Sequence, residues 1–161
     1  MKNIIKQIIS FVLPITVLII VPLWIEKNAS VLISTLVIGI FIMCIGLFIM
    51  ILTISSFVRI GKGTLAPWNP TKKIVISGLY AYVRNPMIIA VLIVLIGESI
   101  AVLSLNIFIW TVIFFVINNI YFLVYEEPNL ERRFKDEYRD YKGSVPRWVP
   151  NLKPFKSDLD K

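Results

Sequence analysis

Four long apolar runs, parted by two short polar breaks and one longer polar stretch, set the pattern of this chain. A membrane-crossing helix needs roughly 20 mainly apolar residues. Residues 4–24, 30–57, 86–102 and 106–125 come close to or exceed that length and read as four spans. Pro14 predicts a kink in the first, because proline withholds an amide and its ring crowds the preceding turn. No small-residue cleavage site comes after this run, so it reads as a retained span with Lys6 near its start and not as a signal peptide. In the second span Gly39 and Gly46 offer places where a neighbouring helix can come close. Residues 99–106 are predicted to turn, which makes the last two spans an antiparallel hairpin.

The polar stretches divide differently. Residues 58–85 form a loop whose first half, with Gly61, Gly63, Pro67 and Pro70, is expected to be irregular. Gly61-Lys62-Gly63 is a lone glycine pair without the strand-to-helix context of a dinucleotide site, and reads as a turn. In the tail, residues 126–161, Pro128 is expected to end or kink the fourth span, with Asn129 capping the next helix. Leu130, Phe134, Tyr138 and Tyr141 recur on one face of that amphipathic helix. The pairs Glu131/Lys135, Arg132/Asp136 and Arg133/Glu137 lie four apart on its other faces, and Gly143 is a candidate C-terminal cap.

Charge fixes the orientation. Of 17 Lys and Arg residues, every one except Lys27 lies before or at the start of the first span, between the second and third, or after the fourth. Basic residues concentrate on the cytoplasmic side of membrane proteins. Both termini and the 58–85 loop are therefore expected in the cytoplasm, and the net charge of +7 needs no nucleic acid to explain it. With 161 residues and 57% hydrophobic content the chain reads as one all-α integral membrane domain, 1–161. The absence of histidine removes imidazole acid–base chemistry and His-based metal sites, and no metal is expected. Cys44, the single cysteine, lies inside an apolar run and reads as a small buried apolar residue.

Candidate chemistry gathers at two places. Residues 77–87, SGLYAYVRNPM, are a polar segment set directly against a charge-free run. Asn85-Pro86 reads as a helix start, with Asn able to accept orphan amide hydrogens and Pro wasting no donor at the first position. Tyr80 and Tyr82 suit a membrane interface. At the other place, Glu126 and Glu127 stand together at the end of the fourth span, costly beside hydrocarbon unless partnered. The two segments abut the two halves of one hairpin. They are expected to meet at the membrane surface as one pocket, open sideways to a lipid-like molecule.

The first block reads Ile74-Val75-Ile76-Ser77-Gly78-Leu79-Tyr80-Ala81-Tyr82-Val83-Arg84-Asn85-Pro86. The second reads Glu126-Glu127-Pro128-Asn129-Leu130, then Arg133-Phe134, Tyr138, Tyr141 and Val145-Pro146-Arg147-Trp148-Val149-Pro150. In content and spacing this pair resembles the isoprenylcysteine carboxyl methyltransferases, integral-membrane enzymes related to phospholipid N-methyltransferases. The resemblance implies S-adenosylmethionine held in a non-Rossmann pocket. Carried over, the cofactor residues are Lys72, Lys73, Ile74, Val75, Tyr80, Asn85, Pro86, Met87, Ile88 and Glu126. Free amides at the helix start suit the cofactor carboxylate, a carboxylate such as Glu126 suits its ammonium or ribose hydroxyls, and tyrosine suits adenine or the sulfonium. Arg84 and Glu127 are the candidate catalytic residues, Glu127 as the base an amine acceptor would need. Trp148 and its flanking prolines are expected to pack as a lid over the cofactor.

Three positions depart from the family pattern. Asn85 stands where many relatives have histidine, Ile88 where prenylcysteine enzymes often have tyrosine, and Phe122 where the eukaryotic enzymes place a substrate-binding arginine. The resemblance points first to an isoprenylcysteine-like carboxylate as acceptor. Phospholipid amines and lipophilic thiols stay open, as does a non-catalytic binding module of the same fold. A transporter would need charge inside the bundle, and Glu98 near the outer turn is the lone acidic candidate. The short chain, lacking additional N-terminal spans, reads as a multi-pass protein of a prokaryotic plasma membrane.

Overall fold

The computed structural model describes residues 12–27, 29–61 and 74–155. Among these every regular element is helical: α1 (Val12–Ile25), α2 (Ile33–Gly61), α3 (Pro86–Ala101), α4 (Leu105–Tyr121) and α5 (Glu127–Ser144). A 3-10 turn, Gly78–Ala81, precedes α3. Two helical stretches are long and apolar enough to cross a membrane, Ile33–Ser56 and the continuous run that α4 begins; α1 and α3 are shorter apolar helices. Along α2, Val37, Phe41 and Phe48 are exposed, as are Phe108, Val112, Val116 and Ile120 along α4. Such stripes are costly in water and suit lipid.

The tightest packing lies between α2 and α3. Gly39, Met43, Gly46, Met50 and Thr53 recur at a four-three spacing on one face of α2, and Ala90, Val94, Gly97 and Ala101 answer on α3. A Cβ added at Gly39 would lie 2.5 Å from Ala101 Cβ, and one at Gly97 would lie 2.6 Å from Met43 Cγ. The backbones touch where the side chains vanish, as expected for helices that associate without a hydrophobic driving force. Thr53, fully buried, donates its hydroxyl within its own helix, to Ile49 O at 3.0 Å and Met50 O at 2.8 Å. Val17, Val91, Leu95 and Phe114 close the centre, with Leu18, Ile88, Leu92 and Trp110 packed against them.

Two π turns break the helical phase, each just before a proline. Thr16–Ile20 precedes Val21-Pro22, and Phe122–Glu126 precedes Glu127-Pro128. Proline donates no amide and crowds the carbonyl four residues back; widening the turn by one residue relieves the clash. In α1 the indole of Trp110 donates to Val17 O at 3.2 Å, inside the first π turn. Pro128 thus neither ends the fourth helical run nor leaves Asn129 as the cap of a new one. Helix continues through the π turn into α5, with Pro128 in the first turn. A real break comes later, at Lys135, whose φ of 47° and ψ of −120° are not helical.

Other boundaries shift modestly. α2 starts at Ile33 and runs to Gly61, four residues past the expected end of its span at 57. α3 ends at Ala101 and the turn at 102–104 is tight: Leu103 takes φ 50°, and Ser104 caps α4 by accepting from Ile107 N at 3.2 Å. The Ser104 hydroxyl also hydrogen-bonds Glu26 Oε2, tying the end of α1 to this turn. α5 ends at Ser144 with Val145 as the capping residue, so Gly143 lies in the last turn and not beyond it. The first-span residues 4–11 and Lys62, Gly63, Pro67 and Pro70 of the loop lie outside the described residues.

Candidate functional site

Gly78 starts the site. Its φ of +64° is open to glycine and strained for other residues, and a Cβ there would come within 3.0 Å of Ser56 Oγ on α2. This turn sets residues 79–85 against the end of α2 and aims Arg84 towards α5. After α5 the chain doubles back as an extended strap over the same segment. Arg84 N donates to Pro146 O at 2.9 Å, Asn151 N to Tyr82 O at 2.9 Å, and Phe155 N to Ala81 O at 2.8 Å. Tyr141 donates its hydroxyl to Tyr80 O at 2.7 Å. Beneath lies a small apolar core of Tyr138, Tyr141 and Val145, with Ile74, Ile76, Leu130, Phe134 and Phe155 against it. The amphipathic face read from the spacing of the tail is the face that packs.

Glu127 is the hub. The π turn rotates it inward, and only 4% of it is exposed. Its Oε1 accepts from Arg84 NH1 at 2.9 Å and from Arg147 Nε at 2.7 Å, while Lys142 Nζ stands 3.4 Å from Oε2. Burial alone would raise the Glu127 carboxyl. The hydrogen bond from Arg147 and the charges of Arg84, Arg147 and Lys142 outweigh it and hold the group below its ordinary range. Arg84 NH1 also reaches Tyr138 Oη at 3.4 Å, and burial beside Glu127 pushes that phenol up to about 12. Arg147 and Trp148 are steadied from α4: Asn119 Oδ1 accepts from Trp148 Nε1 at 3.0 Å and from Arg147 NH1 at 3.4 Å.

Glu126 is differently placed. It is half-buried and accepts from the Tyr121 hydroxyl at 3.2 Å. Burial raises its pKa, and the bond from Tyr121 and the charge of Arg133 only partly counter this. Tyr125 packs on Tyr121 with ring centroids 5.5 Å apart. Two neighbouring carboxylates are thus driven in opposite directions, Glu127 firmly ionised and Glu126 easier to protonate.

The pair Arg84–Glu127 brings the two sequence blocks together. Asn85 sits at the N-cap of α3, but its side chain makes no capping hydrogen bond, and Pro86 is in the first turn. Met87 is half-buried in that turn, while Ile88 packs towards the apolar centre. Ile74 packs on the tyrosine core and Val75 is buried. Tyr80 is enclosed, and burial raises its phenol. Lys72 and Lys73 lie outside the described residues. Trp148, expected in a lid, packs on Phe115 at 5.0 Å and edge-on to Phe122 at 6.2 Å. Asn119 and Lys142 escaped the sequence reading, although an amide in an apolar run was a signal for the first. The pair Glu131/Lys135 gives way to Glu131 with Arg139 at 2.9 Å and Lys142 at 3.6 Å, since the break at Lys135 ends the four-residue ladder.

The sequence model of the phospholipid methyltransferase family matches residues 34–137, from α2 through the first half of α5. The chain belongs to this family. The relationship to isoprenylcysteine carboxyl methyltransferases read from the two motif blocks agrees with that membership. Comparison with curated proteins and with solved structures returned no match. Family and apolar helices together place a methyltransferase domain in a membrane.

Proposed function

We propose that the protein methylates an amine-bearing lipophilic acceptor, using S-adenosylmethionine, at the cytoplasmic face of a four-span membrane domain. The observation that carries this reading is the engagement of Arg84 and Arg147 by Glu127. A carboxylate acceptor of the isoprenylcysteine kind needs a cation to receive it. Arg84 and Arg147 already share Glu127, and Phe122, at the position of the substrate arginine, packs against Trp148. An amine acceptor needs instead a group to take its proton. A carboxylate held below its ordinary range is a weak base, so that role falls to Glu126.

The donor groups present fit the cofactor. The start of α3 carries no side-chain cap, leaving first-turn amides at Met87 and Ile88 suited to a carboxylate. Residues 79–85, joined to the strap by backbone hydrogen bonds, supply the rings of Tyr80 and Tyr82 beside it. When bound, the cofactor supplies an electrophilic methyl group on sulfur. The protein's work is then to hold and orient the acceptor and to exclude water. Glu126 Oε2, steadied by Tyr121, can hold the proton an ammonium gives up, while Arg84, Glu127 and Arg147 fix the two blocks at their working separation.

Calorimetric titration of the purified protein with S-adenosylmethionine and S-adenosylhomocysteine tests the cofactor. Labelled-methyl transfer to phosphatidylethanolamine and to a prenylcysteine analogue tests the acceptor. Saturable cofactor binding and transfer to the amine lipid, lost in Glu126→Ala, are expected. No cofactor binding by folded protein overturns the reading, and transfer to the prenylcysteine alone overturns its amine part.

A further inference from the structure

The strap after α5 carries an unexplained apolar edge. Leu152 is 99% exposed and Val149 74% exposed, in a segment whose neighbours are well anchored. Trp148, next to Val149, lies on the Phe115–Asn119–Phe122 face of α4. Phe115 and Phe122 are two turns apart, about 10 Å along the helix, so the indole lies along the apolar stretch of α4 and not beyond its end. The exposed residues Val116, Ile120 and Leu123 flank that face. Exposed Lys153 follows Leu152 directly, and the half-exposed Lys142 stands on α5, where it pairs with Glu127 and Glu131. Apolar tips continuous with a lipid-facing stripe, backed by lysines, match the chemistry of an interfacial anchor on an anionic leaflet.

We propose that the strap, through Val149 and Leu152, inserts shallowly into the cytoplasmic leaflet and so serves as a membrane-held clamp on the site. Bilayer contact at Leu152 holds the chain from which Arg147 reaches Glu127 and Trp148 reaches Asn119. The clamp does not depend on which acceptor is methylated. A second copy of the chain is the competing occupant.

The test places an environment-sensitive fluorophore at Leu152→Cys in full-length protein lacking Cys44 (Cys44→Ser), since Cys44, expected from the sequence to be buried, is exposed on α2. The protein is reconstituted in phosphatidylcholine vesicles with and without phosphatidylglycerol. Lipids carrying a quencher near the headgroup or at mid-chain report depth. A second label at Asp136→Cys, whose side chain is 89% exposed on α5, supplies the water-facing reference. Strong quenching at Leu152 by the shallow quencher, weaker by the deep one, increased by the anionic lipid and absent at Asp136, is expected. Emission at Leu152 matching that at Asp136 overturns the proposal. So does a signal that fades when the protein is diluted in lipid, which assigns the edge to a second copy. Labelling Val149→Cys repeats the comparison if the Leu152 variant does not fold.

Discussion

Replacing Glu127 by Gln keeps the shape of the hub and removes its charge. Arg84 and Arg147, with side chains 11% and 19% exposed, would then face each other across a neutral amide. Removing one member of a buried ion pair costs about 3–5 kcal/mol, because the remaining charge stays desolvated. Gln can still accept one hydrogen bond, which places Glu127→Gln towards the lower end. Lys142, 40% exposed, adds little, since exposed pairs contribute about 0–1 kcal/mol. Thermal unfolding in lipid nanodiscs, with limited proteolysis of the strap, measures the effect. Arg84→Gln in the same background completes a double-mutant cycle. If the two groups stabilise each other, the double variant loses less than the sum of the singles, by about 1–3 kcal/mol. Strictly additive losses, or a Glu127→Gln protein whose strap resists protease as well as the parent, would refute the hub.

The same carboxylate predicts an acid limit. Its pKa is lowered in the folded state, so its contribution is full above the ordinary value of 4.5 and is lost as pH falls through the folded value. Protease sensitivity of the strap is expected to rise below about pH 4.5 and to stay flat from there to neutrality; a rise near neutrality sinks the assignment. Gly97→Ala forces a methyl to 2.6 Å from Met43 Cγ and 2.8 Å from Gly39 O, an overpacking cost of about 1–3 kcal/mol read as a lower unfolding temperature. An unchanged temperature would mean α2 and α3 are not in backbone contact. Tyr141→Phe removes the hydrogen bond to the partly buried Tyr80 carbonyl at a cost of about 0.5–1.5 kcal/mol and leaves the spans intact, so circular dichroism should keep its helical signal while proteolysis of residues 145–155 accelerates. Asn119→Ala releases both Arg147 and Trp148, and is expected to reduce methyl transfer more than cofactor affinity; equal loss of both would place Asn119 at the cofactor instead.

The start of α3 was legible in the sequence because Asn85-Pro86 is a local signal, and Gly39 and Gly46 marked a close approach because a missing side chain is visible without knowing the neighbour. The meeting of the two polar blocks was also legible, since each adjoins one half of a hairpin. The course of the chain past Tyr125 was not. Pro128 is a helix stop by local rules, yet the π turn lets the helix through, and that choice depends on the burial of Glu127 by residues 20 to 43 positions away. The strap was hidden for a related reason. The hydrogen bonds that lay it on residues 81–84 are backbone to backbone, from Arg84, Asn151 and Phe155, and such bonds leave no mark on residue type. Glu127 was legible as a candidate base, but its partners Arg84, Arg147 and Lys142 show only in the folded structure.

The π turn at Phe122–Glu126 has a consequence for register. One residue advances a helix by about 100°. The lipid-facing stripe of α4 and the packed face of α5 obey different phases, and this turn is where one is converted into the other. If the same five residues wound as regular α-helix, Glu127 would swing about a quarter-turn away from Arg84 and Arg147, with Glu126 carried along, whereas deleting one of them as the turn reverts to α-helix would keep Glu127 in place. The extra residue held in this turn is therefore what points Glu127, and not its neighbour, at the arginines.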